Sequence, residues 1–249
     1  MFLFPLMKKR SAANPLAALR GLVWATDFTE GADAQVLYNT IDGDTVGTGT
    51  GQLGSTSGSD GNDPSWDSAG MSFVYPQWCQ GIGSVDQFNF ITQCDSNEWS
   101  IHCRAKITLY GSGNWATFFG LGTNGVDGSM LFIYKSVGEM VLAYQNSAFS
   151  YNLGSLGNDT SNFISWSATC DGTNVRFYKN GSLVGTSGAV SNGTDPTSKK
   201  MRIHAAESAP DASCAASWIG RCLLIANVCH DATEVAAIHT LMAALPNAA

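Results

Sequence analysis

Short segments in which apolar and polar residues alternate recur along most of the chain. Each predicts a half-buried β-strand, because successive side chains of a strand point to opposite faces of its sheet. The longest is EWSIHCRAKITLY (98–110), in which every second residue from Trp99 to Leu109 is apolar. Further strands are predicted at 21–28, 71–75, 115–122, 129–135, 139–146, 162–170, 199–207 and 217–229. Strands at this spacing are typical of an all-β sandwich or barrel.

The segment DGTNVRFYKNGSLVGT (171–186) predicts a β-hairpin. Val175 and Phe177 share one face of its first strand, and Leu183 lies on the returning strand. Asn180-Gly181 separates the two strands. This dipeptide is typical of a two-residue type I′ turn, in which both residues need a positive φ.

Helical spacing is clearest near the C-terminal end. In HDATEVAAIHTLMAALP (230–246), Asp231 and Glu234 predict a capping box, followed by an apolar stripe through Val235, Ile238 and Met242. One or two helical turns are also expected in NPLAALRG (14–21). Over residues 41–70 we expect a long Gly- and Ser-rich surface loop with one short strand at most.

Composition and charge agree with an all-β protein that has a distinct N-terminal segment. Only 13% of the 249 residues are charged, and 27 are glycine. The net charge is −7, but residues 1–20 carry four basic and no acidic side chains. We therefore predict an arm (1–20) and one sandwich domain (21–249). The acidic body disfavours nucleic acid as a partner, since it repels phosphate.

The first ten residues, MFLFPLMKKR, also bear on localisation. Their apolar run is too short for a membrane span, and its charges follow the run, the reverse of an export signal. Seven cysteines, an odd number without CxxC spacing, argue against a zinc site. Buried thiols in a reducing cytosol are favoured over a disulfide framework.

One ordered set of segments resembles a known superfamily. Trp166, the Asp171-Gly172 turn, Phe177-Tyr178 and the GSLVG sequence (181–185) resemble the central hairpin of concanavalin A-like lectins and glucanases, in their laminin-G-like branch. Segments 63–82, 97–107 and 219–241 agree in order, so that the resemblance spans about 21–245. It implies a jelly-roll sandwich of two antiparallel sheets, with a concave face that holds glycans in many relatives.

Glycan binding requires an aromatic platform for the sugar ring and polar groups for its hydroxyls. Some of the chain's aromatic residues fill the core, but others lie beside polar loops. The candidate carbohydrate-binding residues are Trp66, Trp115, Asn124, Asp127, Tyr144 and Asn146. Asn124 and Asp127 are also a weak candidate calcium site, because they offer oxygen ligands. For Asn124 and Asp127, an ordinary turn is favoured over a calcium site, because Asn-Gly and Asp-Gly are first of all turn sequences.

Catalysis is not expected. Glucanases of the superfamily use an E-x-D-x-E strand, and none of the five glutamates here has a carboxylate two residues away. No Ser/His/Asp arrangement is evident, and structural roles are expected for the four histidines. We therefore predict a non-enzymatic protein without a cofactor.

The arm suggests an attachment role. Its apolar residues Phe2, Phe4 and Leu6 are followed by Lys8, Lys9 and Arg10, a pattern that favours docking on a partner or self-association. Folding back over an edge strand is the alternative.

Laminin-G-like modules also occur in bacteriophage virions. We therefore expect a virion surface protein, in capsid decoration or a tail fibre, assembled in the host cytoplasm. A free, extracellular lectin or adhesin is the alternative, and a glycoside hydrolase is less favoured.

Overall fold

A computed structural model of the chain describes residues 18–28, 36–37, 51–53, 61–67, 69–81, 91, 98–109, 115–121, 130–135, 139–144, 147–152, 160–189, 201–204 and 216–245. Strands and a C-terminal helix occupy most of these ranges. They are β1 (Leu22–Asp27), β2 (Val36–Leu37), β3 (Gly51–Leu53), β4 (Ser65–Asp67), β5 (Gly70–Phe73), β6 (Cys79–Gly81), β7 (Glu98–Leu109), β8 (Trp115–Leu121), β9 (Met130–Lys135), β10 (Glu139–Tyr144), β11 (Ser147–Asn152), β12 (Ile164–Asp171), β13 (Asn174–Lys179), β14 (Ser182–Ala189), β15 (Met201–Ile203), β16 (Ser217–Ala226) and α1 (Ala232–Ala243).

These strands form two antiparallel sheets, which confirms the predicted all-β sandwich. Sheet A has the order β14-β13-β12-β7-β16-β5-β4, with β1 also paired to β16. Sheet B has the order β11-β10-β9-β8-β15-β6-β3-β2. Neighbours in space are often distant in the chain, as expected for sheets that pack face to face. The strand β16 is central to sheet A, because it pairs with β7, β5 and β1.

Between the sheets lies a core dominated by large aromatic side chains. Trp24, Trp99, Trp166 and Trp218 are almost completely buried there. Trp218 stacks on Phe73 with ring centroids 4.4 Å apart and meets the edge of Phe118 at 5.3 Å. The alternation in β7 and β12 directs Trp99 and Trp166 inward and leaves the intervening residues of these two strands on the outer face of sheet A.

The predicted β13–β14 hairpin is confirmed. Asn180 and Gly181 have φ values of 50° and 79°, as a type I′ turn requires, and Lys179 pairs with Ser182 across the turn. Gly181 also lies close to helix α1. A Cβ atom there would come within 3.1 Å of the Ala236 Cα, so both the backbone angle and the space favour glycine.

Helix α1 covers part of the outer face of sheet A. The predicted capping box is present, since the Asp231 side chain accepts from the backbone of Glu234 and the Glu234 side chain accepts from the backbone of Asp231. The buried stripe is the predicted one, with Val235, Ile238 and Met242. A small second core forms where Ile238 and Met242 pack on residues from β1 and β16.

Several short strands differ from the sequence predictions. The region 41–70 contains β3 and β4 rather than one short strand, and β2, β6 and β11 were not predicted. Strands of two to six residues with Gly, Ser and Gln give little alternation to detect. No helix among the described residues is long and apolar enough to cross a membrane. Of the predicted arm, residues 1–17 lie outside the described part of the chain.

Candidate functional site

Exposed apolar side chains concentrate at one end of sheet A. Four large hydrophobic residues are prominently exposed among those described, and three of them, Val74, Tyr75 and Leu109, lie at this end. Leu109 pairs with Ser217 at the start of β16, and Val74 follows Phe73, which pairs with Trp218. We call Val74, Tyr75, Pro76 and Leu109 the Tyr75 patch. An exposed aromatic ring of this kind is suited to contact with a ligand.

A tight turn after β5 presents the Tyr75 patch. The Gln77 backbone N–H donates to the Val74 carbonyl at 2.7 Å, and the Gln77 side-chain oxygen accepts from the Val74 N–H at 2.9 Å. The Tyr75–Pro76 peptide bond within the turn is cis. Trp78 then donates its backbone N–H to the Asn62 carbonyl at 2.9 Å, which places the polar residues before β4 beside the turn.

Three of the six predicted carbohydrate-binding residues lie in the described part of the chain, each on a different strand. Trp66 lies half-buried on the edge strand β4 and packs against the core. Trp115 begins β8 opposite Lys135, whereas Tyr144 ends β10 opposite Met130, at the other end of sheet B. Asn124, Asp127 and Asn146 lie outside the described residues, so the predicted calcium site does as well.

The strand β7 ends at Leu109 in the Tyr75 patch, and β8, the next strand in the chain, begins at Trp115. Trp115 therefore lies at the same end of the sandwich as the Tyr75 patch. Sequence analysis missed Tyr75 because it was assigned to a strand. The Tyr-Pro dipeptide was the signal for a turn there.

A second polar region lies on the outer face of sheet A under α1. His102 and His230 are both buried, and the distance from His102 Nε2 to His230 Nδ1 is 2.9 Å. His102 Nδ1 lies 2.9 Å from Ser167 Oγ, and His230 Nε2 lies 2.9 Å from the Arg20 carbonyl oxygen. A carbonyl can only accept, and with both rings neutral this fixes the direction of every bond.

The resulting hydrogen bonds run from Ser167 through His102 and His230 to the Arg20 carbonyl, and we call this series the histidine chain. His230 Nε2–H donates to the carbonyl, His102 Nε2–H donates to His230 Nδ1, and the Ser167 hydroxyl donates to His102 Nδ1. Both rings are neutral in this arrangement. Burial, and then the neighbouring His230, hold the pKa of His102 well below its ordinary value.

Arg20 joins the histidine chain to the start of α1. Its guanidinium makes two 2.8 Å hydrogen bonds to the Glu234 carboxylate and a 2.9 Å bond to the Cys229 carbonyl. The hydrogen bond from Arg20 lowers the pKa of Glu234 to about 2. Leu19 also packs against the small core under α1. Two residues assigned by the sequence to the arm therefore contact the sandwich domain.

Several other titratable groups among the described residues have structural surroundings. The Asp171 side chain accepts from the backbone of Thr173 and Asn174 and pairs with Arg176. Cys79, Cys103, Cys170 and Cys229 are thiols, and burial raises the pKa of each. The described residues contain no group of three or more metal-ligating side chains.

Comparisons with known proteins show the fold. No family model matches the chain, and no curated protein sequence matches it either. A Trypanosoma rangeli sialidase in complex with 2,3-difluorosialic acid superimposes with a TM-score of 0.65 and 14% identity, covering 98% of this chain and 36% of that chain. The binding domain of botulinum neurotoxin serotype G gives 0.62 and 13%, covering 90% and 51%.

A third structure was solved with a ligand. The binding domain of botulinum neurotoxin DC in complex with SialylT gives a TM-score of 0.62 and 13% identity, covering 89% of this chain and 52% of that chain. The chain thus spans about a third of the sialidases and about half of the toxin binding-domain chains. At identities this low the likeness shows the fold alone, a β-sandwich.

Proposed function

We propose that this protein is a non-enzymatic glycan-binding module of the laminin-G-like branch, displayed on the surface of a bacteriophage virion. The observation that carries the proposal is the Tyr75 patch, an exposed aromatic residue with polar neighbours at one end of a lectin-like sandwich. Tyr75 offers a platform for a sugar ring, and Asn62 lies on the adjoining segment. The sialidase complex with difluorosialic acid and the toxin complex with SialylT add support for a glycan ligand.

The position of the patch also supports display. The N-terminal segment joins the sandwich at Leu22, which pairs with Ala226, the last residue of β16. The Tyr75 patch lies beside Ser217, the first residue of β16. Nine residue steps along the strand, about 30 Å, separate these points. A sandwich anchored through residues 1–17 would therefore present the patch away from its attachment.

The carboxylates with known surroundings favour binding over hydrolysis. A glycosidase needs one carboxyl group with a raised pKa and a second one nearby. Glu234 has a pKa of about 2 and is held by Arg20, while Asp231 caps α1 and Asp171 is held by Arg176. These three carboxylates are held in structural contacts, which supports a non-enzymatic role.

Glycan binding is tested by comparing Tyr75→Ala with Leu183→Ala on a glycan array and by saturation-transfer NMR. Both residues are exposed to a similar degree, 45% and 53%, but Leu183 lies on the edge strand β14 away from the patch. We expect Tyr75→Ala to weaken binding roughly tenfold and Leu183→Ala to have no effect. Equal binding by both variants would overturn the proposed site. Failure of the unmodified protein to bind any glycan would overturn the proposed function.

Attachment is tested by removing residues 1–17, which leaves the Leu19 and Arg20 contacts intact. If these residues mediate self-association, light scattering gives a larger mass for the full chain than for the truncated protein. If they attach to other virion proteins, the full chain alone decorates purified particles. A truncated protein that matches the full chain in both assays would contradict the attachment role.

A further inference from the structure

Two arginine side chains converge on one aromatic ring on the outer face of sheet A, on the same face as Lys106. The guanidinium carbon of Arg221 lies 4.9 Å from the centroid of the Phe163 ring, and that of Arg104 lies 5.9 Å from it. Lys106 lies two residues after Arg104 on β7 and therefore on the same face. Phe163 immediately precedes β12, whose first residue, Ile164, pairs with Ala105. All four side chains are partly accessible to solvent.

A β-bulge brings Arg221 to this position. Gly220 pairs with Ala105 and Cys222 pairs with Arg104, so that Arg221 is the extra residue between two consecutive pairs. The Phe28 backbone N–H donates to the Arg221 carbonyl at 2.9 Å, which holds the bulge in place. Bulges are frequent next to functional sites because they redirect a side chain. Here the bulge places a second guanidinium beside Arg104.

Arg104 differs from the other arginines with known contacts. Arg20 and Arg176 each form an ion pair, with Glu234 and Asp171 respectively. Within the described ranges, Arg104 lies within ion-pair distance of no carboxylate. Its hydrogen bond goes instead from Nη1 to Ser165 Oγ, at 3.0 Å. That bond uses one of the five N–H donors of a guanidinium.

The surroundings of Arg104 disfavour its charged form. Burial lowers the pKa of Arg104, and the charge of Arg221 lowers it further, against an opposing effect from Cys222. His239, whose Nδ1 lies 2.9 Å from the same Ser165 Oγ, adds a titratable group on the α1 side. Two like charges held together and partly desolvated gain stability from an anion that bridges them.

We propose that Arg104 and Arg221, with Lys106, form a binding site for an oxyanion. Planar guanidinium groups bind carboxylate, sulfate and phosphate through paired hydrogen bonds. The oxyanion is either a free inorganic ion or the acidic group of a sugar, since both present the same oxygen atoms. This site lies on the outer face of sheet A and does not depend on glycan binding at the Tyr75 patch.

The test is a titration of the full chain with sodium sulfate and sodium phosphate, followed through the arginine Nε–Hε signals in ¹⁵N-correlated NMR spectra. Sodium chloride at equal ionic strength controls for screening. We expect saturable shifts of the Arg104 and Arg221 signals with the oxyanions but not with chloride. We also expect a rise in Tm with sulfate, because a ligand bound only to the folded state stabilises it.

Variants assign the effect to the site. Arg104→Gln/Arg221→Gln removes both guanidiniums and is expected to weaken sulfate binding at least about tenfold, since each contributes hydrogen bonds to a charged group. Lys179→Gln is the matched control, because Lys179 also lies over a ring of the same domain, 5.4 Å from the centroid of Trp166. If the double variant does not fold, Lys106→Gln is used, and a weaker sulfate affinity is expected.

The source of the oxyanion is distinguished by comparing sialyllactose with lactose. Shifts of the two arginine signals with sialyllactose alone indicate an acidic sugar, and shifts with sulfate or phosphate alone indicate a free ion. Either result supports the site. Shifts that chloride reproduces, or an unchanged sulfate affinity in the arginine variants, would overturn it and leave the cluster as a cation–π packing feature. Failure of the Tyr75 experiment alone would not affect this outcome.

Discussion

The two faces of sheet A are built from alternate residues of the same strands, yet they are stabilised in different ways. Facing sheet B, Trp99, Trp166 and Trp218 are buried by close packing of apolar rings. Facing α1, His102 and Ser167 are buried just as completely but are held by hydrogen bonds of fixed direction. Apolar packing tolerates small shifts, whereas a buried hydrogen-bond chain requires every donor and acceptor to be matched.

The largest expected effect is on the apolar face. Trp218→Ala removes a side chain that stacks on Phe73 and contacts Phe118, and the cavity left behind cannot close fully because both neighbours belong to strands. We expect a loss of about 3–5 kcal/mol in the free energy of unfolding, measured with denaturant. Leu183→Ala, at a half-exposed position, serves as the control and should change it little. A comparable loss in both would refute the assignment of Trp218 to the core.

An intermediate effect is expected for the polar face. His102→Phe keeps a ring of similar size but leaves Ser167 and His230 without their partner, which should cost about 1–3 kcal/mol at neutral pH. Circular dichroism during denaturant unfolding measures this loss. A variant as stable as the unmodified protein would show that the chain contributes no net stability.

The same variant tests a pH dependence. The folded-state pKa values of His102 and His230 lie below the ordinary value of 6.5, mainly because of burial. The unfolded state therefore binds more protons below pH 6.5, and stability falls as the pH drops from there. The charges of Glu234 and Asp231 act to raise the pKa of His230, whereas the charge of Arg20 lowers it further. We expect a shallower acid-induced loss in His102→Phe, and an identical slope would contradict neutral rings.

The smallest effect is expected at the rim of the polar face. Glu234→Gln removes the charge that pairs with Arg20 but keeps an acceptor for the Asp231 N–H. Because the side chains of Arg20 and Glu234 are 52% and 32% exposed, we expect a cost of about 0.5 kcal/mol. Since the pKa of Glu234 is lowered to about 2, this contribution is present above pH 4.5 and disappears as the pH falls through 2. A double-mutant cycle with Arg20→Gln measures it, and a coupling energy of zero would contradict the contribution.

Much of the fold could be predicted from the sequence because its signals are local. The alternation in β7, the Asn180-Gly181 turn and the Asp231–Glu234 capping box each depend on neighbouring residues and physical rules of short range. The strands β2 and β6 were missed, since their two or three residues are strands only through their partners in sheet B. The fold class was therefore predictable while the sheet edges were not.

The candidate sites were less predictable because they depend on long-range pairing. Tyr75 and Leu109 come together only through β16, and Arg221 meets Arg104 only through a bulge in that strand. A charged residue after Gly220, within an otherwise apolar run, was the available signal for the bulge. Trp66, Trp115 and Tyr144 lie on three different strands, and a carbohydrate site that includes them stays a prediction.

The central place of β16 also constrains how the protein is made. This strand comes after every other strand of sheet A in the chain, yet it pairs with β1, β5 and β7. During synthesis, sheet A therefore cannot form completely until β16 has left the ribosome, and its tryptophans stay incompletely buried until then. Such dependence on distant contacts slows folding and prolongs exposure to aggregation. Loss of β16 should accordingly abolish the whole sandwich rather than shorten it by one strand.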